Sequence, residues 1–292
     1  MKKIFFTLLL GALYTHVYAQ INLLNTGYYQ NQFIANPAMA GLDPGMNINL
    51  VYRKQWNNIP GAPSTQAMTG EYGFESNAGI GLNFYNEKAG LQRWTRAEAT
   101  YAYHLPLDDD DSKLNFGLSL GLSNERLDQN AVIGEDNDGS ILQYNKRSYY
   151  IDSDFGVAYT SNKLTLQAAV PNLKSFFKKE EKAGTVDRSS FFAAASYKME
   201  FDTMFDGVMV EPKVTYRGLK GLHSIIDAGT AINFVDQGLN LLAIYHSTKS
   251  TTFGLGMQYQ AVNIMGMYTT ETSALKGYIN GDFEIGLRVK IF

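Results

Sequence analysis

The sequence predicts an all-β protein: a transmembrane antiparallel β-barrel of about 14 strands with a non-strand N-terminal segment. Three observations predict it. A secretory leader is followed by no apolar run long enough for a membrane helix, and a membrane protein without such a helix must be a closed barrel. Segment after segment alternates apolar and polar residues with period two. The connections between those segments alternate between short and long.

Composition fits this class. Of 292 residues, 45% are hydrophobic, 13% aromatic and 18% charged, the last below the roughly 25% of a soluble protein. Mean hydropathy is −0.20, not that of a helical membrane protein. The 19 Tyr, 17 Phe and 27 Gly suit a barrel with a polar lumen; a secreted β-sandwich or a solenoid would share them. With no cysteine, disulfides and a lipidated N-terminal Cys are both excluded. Removing Lys2 and Lys3 with the leader takes the formal charge from −3 to −5, which leaves no basic footprint for nucleic acid.

The leader is residues 1–19. Lys2-Lys3 is a basic n-region, Ile4 to Leu13 an apolar core, and Val17-Tyr18-Ala19 carries the small residues of a cleavage site, so cleavage is expected before Gln20. Residues 20–45 form an N-terminal periplasmic or plug-like segment. Asn22, Asn25, Asn31, Asn36, Pro37 and Pro44 interrupt any strand there, while Tyr28, Tyr29, Phe33 and Ile34 supply hydrophobic hooks. The expectation is an ordered segment packed against or inside the barrel; the alternative is a mobile leader.

Residues 46–292 are the barrel. Ile48, Leu50 and Tyr52 begin the alternation, and a second strand runs from about Ser64 to Glu75. The third sets Ile80, Leu82 and Phe84 against Gly79, Gly81 and Asn83; the fourth sets Ala97, Ala99, Tyr101, Tyr103 and Leu105 against Arg96, Glu98 and Thr100. The fifth is clearest, with Leu114, Phe116, Leu118, Leu120 and Leu122 on one face. Others follow near Arg147 to Thr160, Lys163 to Val170, Ser189 to Met199, Val208 to Arg217, His223 to Phe234, Leu239 to Ser247, around Phe253 to Tyr259, and Val262 to Thr270. Pro212 is a flaw in the ninth. The last, Gly281 to Phe292, ends on an aromatic as outer-membrane barrels commonly do, with Phe292 one step off the greasy face. With both termini in the periplasm, odd-to-even connections face outward. Trp56 to Pro63, Asp128 to Lys146, Pro171 to Arg188 and Thr272 to Asn280 are long, and Ser76-Asn77, Ser161-Asn162 and Val235 to Gly238 short; the outward connection at Thr248-Lys249 breaks the trend.

Candidate chemistry is sparse. Asp108 to Asp111 could hold Ca²⁺ but reads first as a solvated turn, and Asp136-Asn137-Asp138-Gly139 lacks the flanking carboxylates of an EF-hand. His104, His223 and His246 have no metal-ligand spacing. His246-Ser247 raises a barrel hydrolase, but no nucleophile elbow accompanies it. Gly79-Ile80-Gly81 and Gly254-Leu255-Gly256 precede no helix, so they are strand glycines facing the lumen rather than nucleotide loops. No catalytic residue, metal or cofactor is expected.

Several stretches, in order, carry a resemblance: Tyr29 to Phe33, then Asn36-Pro37-Ala38-Met39-Ala40-Gly41, then Tyr52-Arg53-Lys54-Gln55-Trp56-Asn57-Asn58-Ile59-Pro60-Gly61-Ala62-Pro63, then Val170-Pro171-Asn172-Leu173, then Glu211 to Arg217. Together they are similar to the PorP/SprF family of outer-membrane proteins of the Bacteroidetes type IX secretion and gliding machinery. A Ser-His-Glu-Ile stretch often seen in that family's last strand is represented only by Glu284-Ile285. The resemblance implies a non-catalytic barrel that binds or anchors a partner: a type IX component, or a secreted protein with a C-terminal sorting domain. Asn31, Asn36, Pro37, Ala38, Gly41, Arg53, Trp56, Gly61, Pro63, Pro171, Asn172 and Arg217 are the motif residues expected to bind that partner or hold the fold. The alternative is an outer-membrane channel or transporter for small solutes, since 14 strands can enclose a lumen.

Overall fold

Period-two alternation closes into an antiparallel barrel in the computed structural model, which describes residues 26–56, 58–107, 112–128, 139–146, 149–173, 191–201, 207–218, 224–271, 277 and 280–291. The strands are β1 (Gly45–Lys54), β2 (Ser64–Gly73), β3 (Ala78–Ala89), β4 (Gln92–Pro106), β5 (Lys113–Leu127), β6 (Tyr150–Thr160), β7 (Leu164–Val170), β8 (Phe191–Tyr197), β9 (Met199–Phe201), β10 (Val208–Gly218), β11 (Ile225–Phe234), β12 (Leu239–His246), β13 (Ser250–Tyr259), β14 (Val262–Thr269) and β15 (Asp282–Ile291). β8 and β9 are one crossing. Ser196 faces Lys213 and Met199 faces Val210, a single register against β10. Pro212, which has no N–H to donate, falls in the gap between them, while the ladder from β10 to β11 runs through Pro212 unbroken. The wall therefore has 14 antiparallel strands. Its seam is β15 on β1, from Met46↔Ile291 to Lys54↔Phe283.

Burial is inverted relative to a soluble protein. Along β5, Leu118 (54%) and Leu120 (64%) are exposed, whereas Asn115 (0%) and Ser119 (4%) are buried. The apolar face looks outward around the whole ring, and the polar face lines the lumen. Such a surface is stable only against hydrocarbon, where a closed sheet leaves no backbone group unpaired.

The hairpins fall into two sets. One end, called here the long-loop end, carries 55–63, 128–149, 171–190 and 270–281. The other, the short-turn end, carries 74–77, 161–163, 235–238 and 260–261. The β3–β4 turn at Gly90-Leu91 joins Thr248-Lys249 as a tight reversal at the long-loop end. Within the β5–β6 connection a short helix, α1 (Gly139–Asn145), is tied to β5 by both Asn145 amide groups on Leu127; the strand pattern gives no sign of it. The leader, Asp108–Asp111, residues 136–138, His223 and Phe292 lie outside the described residues.

The lumen is crossed by the chain itself. Three single-turn 3-10 helices, Thr26–Tyr29, Gln32–Ile34 and Pro37–Met39, lie inside the wall. Prolines and asparagines keep them from becoming strands: Asn36 accepts from the Ala38 N–H at 3.0 Å and caps the third turn. The wall makes room with glycine. A Cβ on Gly79 would fall on the Ala40 carbonyl, one on Gly117 on the Pro37 backbone, one on Gly156 on the Asn36 side chain, and one on Gly81 within 2.5 Å of the Phe33 ring. Glycine is needed where another backbone comes this close. The first described residue, Thr26, donates to Glu284 of β15 near that strand's long-loop end, and the segment reaches β1 at the opposite end.

Candidate functional site

Two recesses flank the N-terminal segment, and a sealed charge cluster holds it in place. The sealed cluster centres on Asp227 of β11, which is fully buried. Arg217 from β10 approaches one oxygen at 2.8 Å, and His246 from β12 the other at 2.7 Å. The Tyr28 hydroxyl donates to the same carboxylate and lies 3.2 Å from Thr215. The Arg217 guanidinium stacks 5.5 Å from the Tyr28 ring. Next to it the Tyr29 hydroxyl donates to the Lys213 carbonyl (3.1 Å), and the Lys213 ammonium sits 5.2 Å from the Tyr29 ring. Burial pushes both phenols well above their ordinary range, with the Asp227 charge adding to the rise and Arg217 opposing it. Both therefore stay protonated and able to donate.

The long-loop recess is small, about 70 Å³. Its floor is Phe33, Ile34 and Pro37; its wall carries Tyr85, Trp94, Arg96, Glu98 and Asp154; its lip is Pro171 and Asn172. Arg96 bridges Glu98 and Asp154 at 2.7 Å each. Asn172 adopts a left-handed backbone (φ 56°), which aims its N–H at Asp154 (2.8 Å). The Tyr85 and Trp94 rings meet edge to face at 4.8 Å.

The short-turn recess is a vestibule of about 1190 Å³. Amide side chains recur in its lining among apolar and charged ones: Gln30, Asn31 and Gln32 from the N-terminal segment, and Asn47, Asn233, Asn240, Gln258 and Asn263 from the strands.

Half of the twelve motif residues expected to bind a partner or hold the fold lie along the N-terminal segment and its contacts. Asn31 donates to Thr69 (2.7 Å). Asn36 donates to the Val157 carbonyl (3.2 Å), and Ala38 is fully buried against Ala158. Pro37 fills the space at Gly117. Gly41, at φ +64°, donates to Glu71 (2.9 Å) where a Cβ would meet the Tyr72 carbonyl at 2.5 Å. Arg217 belongs to the sealed cluster. At the long-loop rim Arg53 pairs with Asp282, Trp56 takes a left-handed turn (φ 47°), Pro63 accepts from Gln55, and Gly61 accepts from Gly90, tying the first loop to the β3–β4 turn. Sequence reasoning missed the Arg96–Glu98–Asp154 group. Arg96 and Glu98 enter it only as the polar half of an alternation, although an ionisable residue in a membrane strand is itself a signal.

The hydrolase arrangement is not assembled. Ser247 accepts from the Ile226 N–H (3.0 Å), and both His246 nitrogens are taken, by Asp227 and by Thr252 (2.7 Å). Asp227, His246 and Thr252 line up as a triad would, but all three are buried away from both recesses. Among the described residues, no group of three or more His, Asp or Glu is placed to hold a metal ion, and no helix is long and apolar enough to cross a membrane.

The sequence matches the family described as type IX secretion system membrane protein PorP/SprF over residues 17–289. The chain belongs to the PorP/SprF family. It is thus an outer-membrane β-barrel of the type IX secretion system, a family of secretion membrane proteins. One solved structure supports the fold. The Acinetobacter baumannii outer membrane protein Omp33 superposes with a TM-score of 0.51 at 9% identity, over 86% of this chain and all (100%) of that one. CdiB from Acinetobacter baumannii gives 0.45 at 7% identity, over 85% of this chain and 60% of its own, and a KdgM porin gives 0.40 at 6%, over 84% and 99%. None of the curated proteins matches.

Proposed function

We propose that this barrel is a non-conducting, non-catalytic scaffold that binds or anchors a protein partner of type IX secretion, either a machinery component or a secreted protein with a C-terminal sorting domain. The observation that carries the reading is the occupied lumen. Residues 26–44 lie across it, with glycines cut into the wall to receive them and buried hydrogen bonds at Thr69, Asp227 and Glu284 to hold them. A solute channel needs a continuous wet path, and the recesses on either side of this segment instead offer surfaces to a partner. The 1–19 leader, the 20–45 segment and the 46–292 barrel are the units of this proposal, with the long-loop end outside the cell and the carboxyl end of β15 in the periplasm. Purified protein in planar bilayers is expected to show no steady conductance, and affinity isolation from the native host to recover a type IX component or cargo. Steady wild-type channels, or recovery without either partner, would return the function to the small-solute alternative.

A further inference from the structure

We propose that the vestibule at the short-turn end is a docking site for an extended, low-charge polypeptide segment of a partner protein. The inference rests on the reading of the barrel as a closed scaffold and names the kind of partner the same lumen takes.

The cavity, about 1190 Å³, is larger than the roughly 300–1,000 Å³ of most small-molecule sites. Among the described residues, the N-terminal segment closes one end, and the turns at Val235 to Gly238 and Gln260-Ala261 frame the other, so the cavity opens toward the short-turn side. Amides line it from several directions: Gln32 from the floor, Asn233 from β11, Asn240 from β12 and Asn263 from β14. Each carries paired N–H donors and a carbonyl acceptor. A peptide group offers the complement of both, and an extended backbone presents it at every residue. Acidic and basic side chains in the wall nearly balance, so no strongly charged segment is selected.

The apolar remainder of the wall suits the varied side chains of a polypeptide. Between the amides stand Met209, Leu242 and Met265, and Phe33, Phe234 and Tyr259 also line the cavity. Flexible thioethers repack around varied side chains. Gln30 also gains: its amide donates to the Met265 sulfur (2.8 Å), a weak acceptor that a peptide carbonyl would replace.

The test uses the full-length protein in native outer membranes with a benzophenone amino acid at Asn240. The expected product is a protease-sensitive adduct whose cross-linked peptide maps to one short segment of one protein. Asn263→Trp, which fills the cavity, should abolish that adduct while the barrel keeps its heat-modifiable migration. A synthetic peptide of the mapped segment should then bind the purified barrel about tenfold more weakly after Asn263→Trp. No adduct, adducts scattered over many proteins, or an adduct cut by glycosidase and not by protease would overturn the proposal. The same probe at Trp94, in the opposite recess, separates the two readings. A protein adduct there with none at Asn240 leaves the scaffold standing and removes the vestibule site. Protein adducts at neither position, together with steady conductance, remove both.

Discussion

The two buried charge groups at the long-loop half of the lumen are built alike and finished differently. Each places one arginine against inward carboxylates: Arg217 of β10 against Asp227 of the adjacent β11, and Arg96 of β4 against Glu98 on its own strand and Asp154 on β6. What differs is the residue of the N-terminal segment set against each. At Asp227 it is Tyr28, whose hydroxyl completes the carboxylate's shell and whose ring covers Arg217. Beside Asp154 it is Ile34, Ala35 and Pro37, which supply no donor and leave a recess. The first group is a lock and the second a surface that a partner can reach. The same wall chemistry becomes structural or available according to what one short segment brings to it.

That contrast can be broken at several points. The largest effect is expected from Asp227→Ala, which strands the buried Arg217 without its carboxylate and should cost about 3–5 kcal/mol, read by urea unfolding in lipid vesicles. An effect below a third of that would mean that the lock is not the stronger group. Gly156→Leu drives a side chain into Asn36, and overpacking of this kind costs roughly 1–3 kcal/mol. It should expel the N-terminal segment, expose it to protease and open a conductance that the parent lacks. Tyr28→Phe keeps the ring and removes the donor, with about 1–3 kcal/mol expected for the buried acceptor left short. Asp154→Asn, beside a recess that water can enter, should cost only about 1 kcal/mol. If its cost equals that of Tyr28→Phe, the distinction between lock and surface fails.

The smallest effect is one of pH. The Tyr28 phenol is raised by burial above its ordinary value, so the folded chain keeps a proton that the unfolded chain releases near pH ~10. The lock is therefore complete below pH ~10 and loses stability as pH climbs beyond it. Protease sensitivity of the N-terminal segment should stay flat to that point and then rise. Tyr28→Phe should shrink the rise, leaving the part that the buried Tyr29 phenol carries.

Much of the fold is legible in the chain. Leu114 to Ser123 can only be a strand with one greasy face, and β15 repeats the pattern at the seam, because strand periodicity is local and hydrocarbon tolerates nothing else. Local signals also mark Asn36-Pro37-Ala38 and Gly41 as turn-forming. They do not say that this turn sits inside the barrel. Gly79 and Gly81 read as strand glycines facing the lumen, and only the folded wall shows that Gly79 admits the Ala40 backbone and Gly81 the Phe33 ring.

The sequence alone thus determined the cysteine-free, alternating character of the chain and the number of crossings, since each depends on residues next to one another. Tertiary structure decided the rest. Tyr28 meets Asp227 across 199 positions, and Arg96 meets Asp154 across 58. Closing the sheet sets those pairs, because register and curvature decide which inward side chains share a level of the lumen. Whether the barrel is a pore or a platform follows from the same closure: a segment of a few turns, unremarkable in sequence, becomes the floor of two sites once a wall surrounds it.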